Sequence, residues 1–466
     1  MLKSFLMTSC ALVVLTGCSL IPDYHRPALP TPAAWPAGAG AKTAAGPVGP
    51  LGWERFFTDP ALRSLIREAL DNNRDLKVAA LNIVVARASY RQAYDNLFPE
   101  LDVNGNESEQ GIAKSLDYYT QPPQSIVMRS YGLNVGVSSY ELDLFGRLSS
   151  LSTQARETLL ATEAAQRVTR ITLVAEVANA YLTLLGDRQL LDLANRTADS
   201  RAASLELIRQ SAARGASSAL DEAQAQSLLQ TARAAQAQYR RQVAQDRNAL
   251  ELLLGKPAPE ALLNRDLDQI TMPDHLAAGL PSDLLLHRPD IMEAEHQLLA
   301  ANANIGAARA DFFPSITLTG TYGLGSSTLT GLFQGGAKAW TFAPGISLPI
   351  FDMGSRYAML ESAKASRDIT VAQYEKAIQT GFREVADGLA AQAGYADEMT
   401  AQTAEVAAAR TSLTLSQARY DQGVDSFLTL QDAERSLYSA QQGRISLKVT
   451  ELSNMVTLFK ALGGGV

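Results

Sequence analysis

The sequence predicts a mainly α-helical chain with a smaller β portion, its parts laid down twice. Three observations predict this class. No proline occurs from Gln124 to Lys256, and residues 148–213 hold one glycine, Gly186, among Ala, Leu, Gln, Arg and Glu, all good helix formers. Apolar residues alternate at strand spacing in Tyr131, Leu133, Val135 and Val137, in Ile316, Leu318, Tyr322 and Leu324, and in Phe342, Ile346, Leu348 and Ile350. The order of the first half also recurs in the second.

The elements follow in chain order. Residues 1–17 read as a targeting segment, with Lys3 before the short apolar run FLMTSCALVVL, which is too short to span a bilayer. The following Leu15-Thr16-Gly17-Cys18 resembles a bacterial lipoprotein signal, in which the cysteine is acylated and becomes the new N-terminus. Ser19 rather than Asp at the next position implies, by analogy with that class, sorting to the outer membrane. Residues 18–58 are then a lipidated end and a Pro/Ala/Gly-rich extended tether.

Repeat 1 spans 59–255. It holds an amphipathic helix ending at Asn72-Asn73, a second helix over 75–97 stopped by Pro99, and a β-hairpin over about 99–146. The helical run after it would be roughly 100 Å long at 1.5 Å per residue, too long for a compact domain. It contains no unbroken 18-residue apolar run and does not read as a membrane span. The helix breaks near Gly215, restarts, and stops at Gly255-Lys256-Pro257. Residues 256–283, with Pro257, Pro259, Pro273 and Pro281, form a linker.

Repeat 2 spans 284–466, with a hairpin over about 314–351 and a break near Gly423. LNIVVARASYRQAYDNLFPELDVNG (81–105) aligns with HQLLAANANIGAARADFFPSITLTG (296–320), placing Pro99 on Pro314. From Gly146 and Gly354 through Gly215 and Gly423 the offset is a constant 208 residues, against 215 at the prolines.

Composition excludes several function classes. The net charge of −7 and the lack of a basic run argue against nucleic acid. Once Cys10 leaves with the signal and Cys18 is acylated, no thiol remains for a disulfide or metal site. The histidines at 25, 275, 287 and 296 lack metal-ligand spacing. His287-Arg288-Pro289-Asp290 reads as a helix start, with proline at N1 and an acid in the first turn. No catalytic constellation emerges, so the chain does not read as an enzyme.

The strands supply the functional idea. Four strands cannot close a barrel, and lipid cannot satisfy an open edge, so a membrane sheet here requires several copies. Two copies would give eight strands and a filled lumen, and three would give twelve with room for a channel.

Three stretches carry a resemblance over nearly the whole mature chain: HRPDIMEAEHQLLAANANIGAARADFFPSITLTG (287–320), YELDLFGR (140–147) and CSLIPDYHRP (18–27). They resemble the TolC-like outer membrane factors, in their OprM/NodT-type lipoprotein branch. The resemblance implies a homotrimer in the Gram-negative outer membrane. It also implies a twelve-stranded β-barrel with four strands per chain, continued by a long α-helical barrel with a mixed equatorial domain. The implied role is the exit duct of a tripartite efflux pump for drugs or other small toxic compounds. The implied partners are a periplasmic adaptor, an inner-membrane proton-driven (RND-type) transporter and outer-membrane lipid. No cofactor or metal is expected beyond the lipid on Cys18. The alternatives are a structural lipoprotein with a helical stalk and no channel, or the duct of a protein-secretion or metal-efflux system.

Function then concentrates at the two breaks. Gly215 and Gly423 suit the left-handed position that ends a helix. Ser217 and Ser218, with Asp425 and Ser426, suit the cap of the returning helix, and Ser218 with Asp221 is spaced as a capping box. By resemblance these tips are the periplasmic mouth where the adaptor docks, with Arg214 and Gln422 beside them. Leu415, Arg419 and Gln422 share a helix face flanked by Tyr420 and Asp421. The family analogy implies a gate in which Arg419, Tyr420 and Asp421 make polar contacts and Leu415 narrows the bore.

Overall fold

The computed structural model describes residues 19–32, 34–35, 52–113, 115, 126–273 and 288–464. The signal segment, Cys18, much of the tether, and residues 274–287 with His275 and His287 lie outside them. The main elements are α1 (Pro60–Asn72), α2 (Arg74–Asp95), β1 (Asp102–Ile112), β2 (Ile126–Leu142), α3 (Arg147–Ala213), α4 (Ala219–Leu254), α5 (Pro289–Ala310), β3 (Ser315–Ser326), β4 (Lys338–Ser347), α6 (Ser355–Asp421) and α7 (Phe427–Ala461). The chain packs as two units, one of Met1–Pro27, Ile83–Thr162 and Ala294–Tyr374, the other of Ala28–Asn82, Glu163–Glu293 and Glu375–Val466. Each unit therefore draws on both sequence repeats.

The first unit holds an antiparallel sheet in the order β1-β2-β3-β4. Its register brings the alternations into phase. Val103 pairs with Val135, Val135 with Tyr322, and Tyr322 with Trp340, all on one face. Phe342, Ile346, Leu318 and Ile316 continue that face, and its Trp340 is 73% exposed. The other face carries Asn104, Asn106, Asn134, Thr319, Thr321 and Thr341, with small residues such as Gly136, Gly323 and Ala339. A bulge between Val137 and Tyr140 shifts the register and keeps Leu318 and Ile316 beside Tyr140 and Leu142.

Both strand-to-helix junctions use an aspartate and an arginine. Asp143 accepts hydrogen bonds from the Leu148 and Ser149 amides (3.0 and 2.8 Å), and Arg147 forks onto Glu141 (2.8 and 2.5 Å). Asp352 accepts from the Gly354 and Arg356 amides, each at 3.1 Å, and from the Arg356 side chain at 2.7 Å. Carboxylates at a helix start satisfy its free amides and its dipole.

The second unit has the larger apolar core. Asp59 caps α1 through the Leu62 amide at 2.8 Å, and Pro60 follows at the first helical position. Leu62, Leu65 and Ile66 of α1 meet Tyr181, Leu182, Leu184 and Leu185 of α3, with Leu250 and Leu254 of α4 and Val456 of α7. Phe56 stacks on Phe459 at 4.5 Å, and Phe57 stands edge-on to Phe56 at 4.7 Å. Burying each such side chain contributes about 1.5–3 kcal/mol. By length and composition α3 passes as a membrane span, with a window of mean hydropathy 1.3. Val174, Val177 and Ala178 are nevertheless buried in this protein core, which accounts for the apolarity.

Two polar features stand out in this unit, one buried and one half-buried. Arg288, with its side chain 7% exposed, binds Asp290 (3.0 and 2.6 Å), Glu384 (2.8 Å) and the Ala461 carbonyl (2.8 Å). It thus ties the start of α5 to α6 and to the end of α7. Asp187 of α3 and Asp246 of α4 share a hydrogen bond, and burial followed by that bond pushes the Asp246 carboxyl up to about 7.

Replacing Arg288 with alanine strands two carboxylates and a carbonyl. The expected loss is about 3–5 kcal/mol, read as a lowered melting temperature by circular dichroism in detergent. An unchanged melt would remove Arg288 from the structural core. Asp246 has a raised folded pKa, so its stabilisation is complete in acid and is lost as pH rises from about 4 to about 7. Asp246→Asn should therefore raise the melting temperature above pH 7 and leave it nearly unchanged in acid. A gap between variant and wild type that stays the same at every pH would show that the Asp246 carboxyl is not raised.

Candidate functional site

The two helix breaks are built alike. At the first, the Gly215 amide donates to the Ala212 carbonyl (2.9 Å) and the Ala216 amide to the Ser211 carbonyl (3.0 Å). At the second, the Gly423 amide donates to Tyr420 (2.9 Å) and the Val424 amide to Arg419 (2.9 Å). Both are Schellman closures of a helix C-terminus. Gly215 has φ 75° and Gly423 φ 72°, and a Cβ on either would meet nothing within 4 Å. Backbone strain, not crowding, therefore selects glycine at both sites.

The return helices are capped by serines. Ser218 Oγ accepts from the Asp221 amide (3.1 Å) while Asp221 accepts from the Ser218 amide (2.9 Å), completing a capping box. Ser426 Oγ accepts from the Thr429 amide at 3.3 Å without the reciprocal bond. Ser217 Oγ donates to Ser211 Oγ at 2.8 Å. Arg214 and Gln422 are exposed beside the glycines.

The two tips pack together within the second unit. Leu205 and Ile208 of α3, Ala225 and Leu229 of α4, and Phe427 and Leu430 of α7 form one buried cluster. Tyr420 of α6 packs against it, its ring 5.8 Å from that of Phe427. Burial, then the charges of Asp221 and Asp421, push the Tyr420 hydroxyl pKa up. Beyond this cluster the tips expose apolar side chains, with Leu220 65%, Val424 62% and Leu428 51% exposed.

The four gate candidates point in different directions. Arg419 forks onto Asp425 of its own tip, with Nε to Oδ2 at 2.8 Å and Nη2 to Oδ1 at 2.9 Å. This pairing raises the Arg419 pKa and holds the Asp425 carboxyl below its usual range. Asp421 accepts from Gln417 Nε2 at 2.8 Å. Tyr420 lies in the cluster, and Leu415 stands free on the surface, 60% exposed. Arg419 and Asp425 thus come together, Tyr420 and Asp421 join other neighbours, and Leu415 is left exposed.

Sequence spacing had separated Arg419, as a gate residue, from Asp425, as a docking residue. A left-handed turn folds residue i+6 back over residue i, and the glycine between them was the available signal. Arg201 is a further residue of this region that spacing does not reveal. It is buried, donates to the Leu228 carbonyl at 2.9 Å and lies 5.7 Å over the Tyr438 ring. Nothing in ADSRAASLEL marks that arginine as interior.

Among the described residues no group of three or more His, Cys, Asp or Glu side chains could hold a metal ion. His296 bonds Glu157 at 2.8 Å.

Comparison with known proteins places these features in a family. The family model described as "Outer membrane efflux protein" matches residues 65–256 and 280–464. The antibiotic efflux pump outer membrane protein ArpC of Pseudomonas putida is 48% identical over 471 residues, covering 100% of this chain and 96% of that protein. The toluene efflux pump outer membrane protein TtgC of Pseudomonas putida matches to the same extent, 48% over 471 residues and the same coverage of both chains. Among solved structures, the open state of the Neisseria gonorrhoeae MtrE outer membrane channel superposes with a TM-score of 0.85 at 38% identity, covering 96% of this chain and 98% of that one. With a four-stranded sheet, two capped helical hairpins and a family match along most of its length, the chain belongs to the outer membrane efflux protein family.

Proposed function

We propose that three copies of this chain form the exit duct of a tripartite efflux pump. The observation that carries the reading is the sheet, which has an exposed apolar band on one face, bounded by Glu107, Glu109 and Arg129 at the end away from the helices, a polar face of small residues, and two open edges. An apolar face suits lipid and a small polar face suits a water-filled lumen. Lipid tolerates no open edge, so β4 of one copy pairs with β1 of the next. Three copies close twelve strands around a lumen, where two would fill it with side chains. The exposed Val78, Leu81, Val84 and Val85 of α2 supply an apolar surface for a neighbouring copy.

Each chain is anchored in the outer membrane by acylation of Cys18. The long helices of the three copies form the helical barrel, and their six tips form its mouth. There the exposed Leu220, Val424 and Leu428, rimmed by Arg214, Gln422 and the capped serines, receive the hairpins of a periplasmic adaptor. A proton-driven inner-membrane transporter of the RND type supplies the cargo. Relatives named for antibiotics and toluene support small toxic organic compounds as that cargo. The chain itself performs transport and no catalysis, and carries no cofactor besides its lipid. At the mouth, Arg419 and Asp425 stiffen the tip, Leu415 narrows the bore, and Tyr420 and Asp421 hold neighbouring helices in place.

Three outcomes test this reading. In planar bilayers the purified protein should insert as a trimer with low closed-state conductance, and Arg419→Ala should raise it. Equal conductance in both would remove Arg419 from the gate. Labelled palmitate should enter the wild-type chain and not Cys18→Ser, and labelling of both would place the lipid elsewhere. Leu220→Asp combined with Leu428→Asp should abolish adaptor pull-down while leaving the trimer intact. Undiminished capture would move the docking surface away from the tips.

A further inference from the structure

The described N-terminal residues 19–26 run along one stripe of α5, within the first unit. Glu295, Asn302, Gly306 and Arg309 are spaced by seven, four and three residues, so they share a helix face. Each meets the N-terminal segment. Glu295 accepts from the Tyr24 hydroxyl at 3.0 Å and from Arg26 Nε and Nη2 at 2.9 and 2.7 Å. Asn302 donates to the Pro22 carbonyl at 2.8 Å, and Arg309 donates to the Leu20 carbonyl at 3.1 Å. The two run antiparallel, since contacts fall from residue 26 to 20 on one side and rise from 295 to 309 on the other.

Gly306 is where the segment lies closest. A Cβ there would stand 2.9 Å from the Ile21 amide nitrogen and 2.7 Å from Ser150 Oγ of α3. The nearest atom would be Ile21 Cγ1 at 2.6 Å, and the Ile21 backbone could make room only by moving the segment away, so the absence of a side chain lets the segment lie against α5. Tyr374 of α6, fully buried, lies within electrostatic reach of Glu295 and Arg26. The segment therefore touches α3 and α5 and sits beside α6.

We propose that this stripe is a receptor groove for the chain's own N-terminal end and acts as a positioning clamp. It delivers that end to the C-terminal end of α5, where Arg309 stands six residues before the first residue of β3. The clamp works through protein contacts alone, so it sets where a lipid on Cys18 leaves the protein without needing that lipid. An extended Pro-rich segment with no groove would leave the anchor free to wander. With the groove, the anchor is held to the foot of the sheet.

The test is limited proteolysis of the full-length mature protein with chymotrypsin, reading cleavage after Leu20 and Tyr24 by mass spectrometry. The chains compared are the wild type, a Cys18→Ser chain exported on an ordinary secretory signal, Gly306→Leu, and Glu295→Gln combined with Arg309→Gln. Both bonds should resist cleavage in the wild type and in Cys18→Ser. They should be cut at least roughly tenfold faster in the two groove variants, with circular dichroism and trimer content unchanged. If Gly306→Leu fails to fold, the polar double variant carries the test, because it removes the charged contacts and adds no volume to the groove. Equal rates in the wild type and the double variant would overturn the clamp. Fast cleavage in Cys18→Ser alone would assign the restraint to the lipid instead. Absence of palmitate from the wild type would sink the acylation reading and leave the clamp standing.

Discussion

A strand edge in hydrocarbon can be satisfied only by another strand. β1 and β4 each leave one edge open, and the part of the sheet nearest the helices presents an apolar face, with Glu107, Glu109 and Arg129 on the same face farther out. The chain is thus incomplete by itself wherever that face meets lipid, and the need for closure propagates through the rest. The short junctions at Asp143 and Asp352 convert strands directly into helices, each fixed by an arginine and by capped amides. α3 and α6 leave those junctions without interruption until the tips. The apolar side of α2, unburied in the single chain, belongs to the same logic of surfaces that await a second copy.

Much of this was legible in the sequence because it rests on local rules. Proline and glycine punctuated the helices, and alternation marked β2, β3 and β4, although β4 ends at Ser347, before Leu348 and Ile350, and β1 has no apolar alternation. The constant offset between Gly215 and Gly423 announced two equivalent turns. What local rules do not encode depends on residues far apart or folded back. Tyr24 and Arg26 reach Glu295 across about 270 positions, and nothing in CSLIPDYHRP names that partner. The pairing of Arg419 with Asp425 exists only because a left-handed glycine reverses the chain between them. The phasing of the three alternations onto one face is a property of register, which turn geometry and the bulge at Val137–Tyr140 set. The sequence also hid why α3 is so apolar, since composition alone cannot separate a protein core from lipid.

The tips show how a surface feature and a structural one share residues. Gly423, Ser426 and the Schellman bonds make the turn rigid at little energetic cost. The Tyr420–Phe427 contact and the cluster beneath it lock the two turns together. The exposed Leu220 and Leu428 above that cluster thereby stand on a packed base, which suits the docking role proposed for them. In the proposed gate, loosening the Arg419 fork would free one side of the turn while the cluster still held the other. Such a mouth would open by yielding one contact at a time and would not unfold.

Both long helices, α3 and α6, contain 67 residues. One extra residue in either alone would advance its tip by about 1.5 Å and rotate it by about 100°, carrying Leu205 or Tyr420 out of their shared cluster. The two lengths therefore behave as a single inherited quantity. The chain bears the mark of this constraint. The seven residues that distinguish the repeats are lost between Pro314 and Gly354, and none between Gly354 and Gly423. Loops and strands have absorbed the drift between the copies, while the helices have stayed in step. Any lineage that lengthens the reach of such a protein must change both helices together, in near-whole turns.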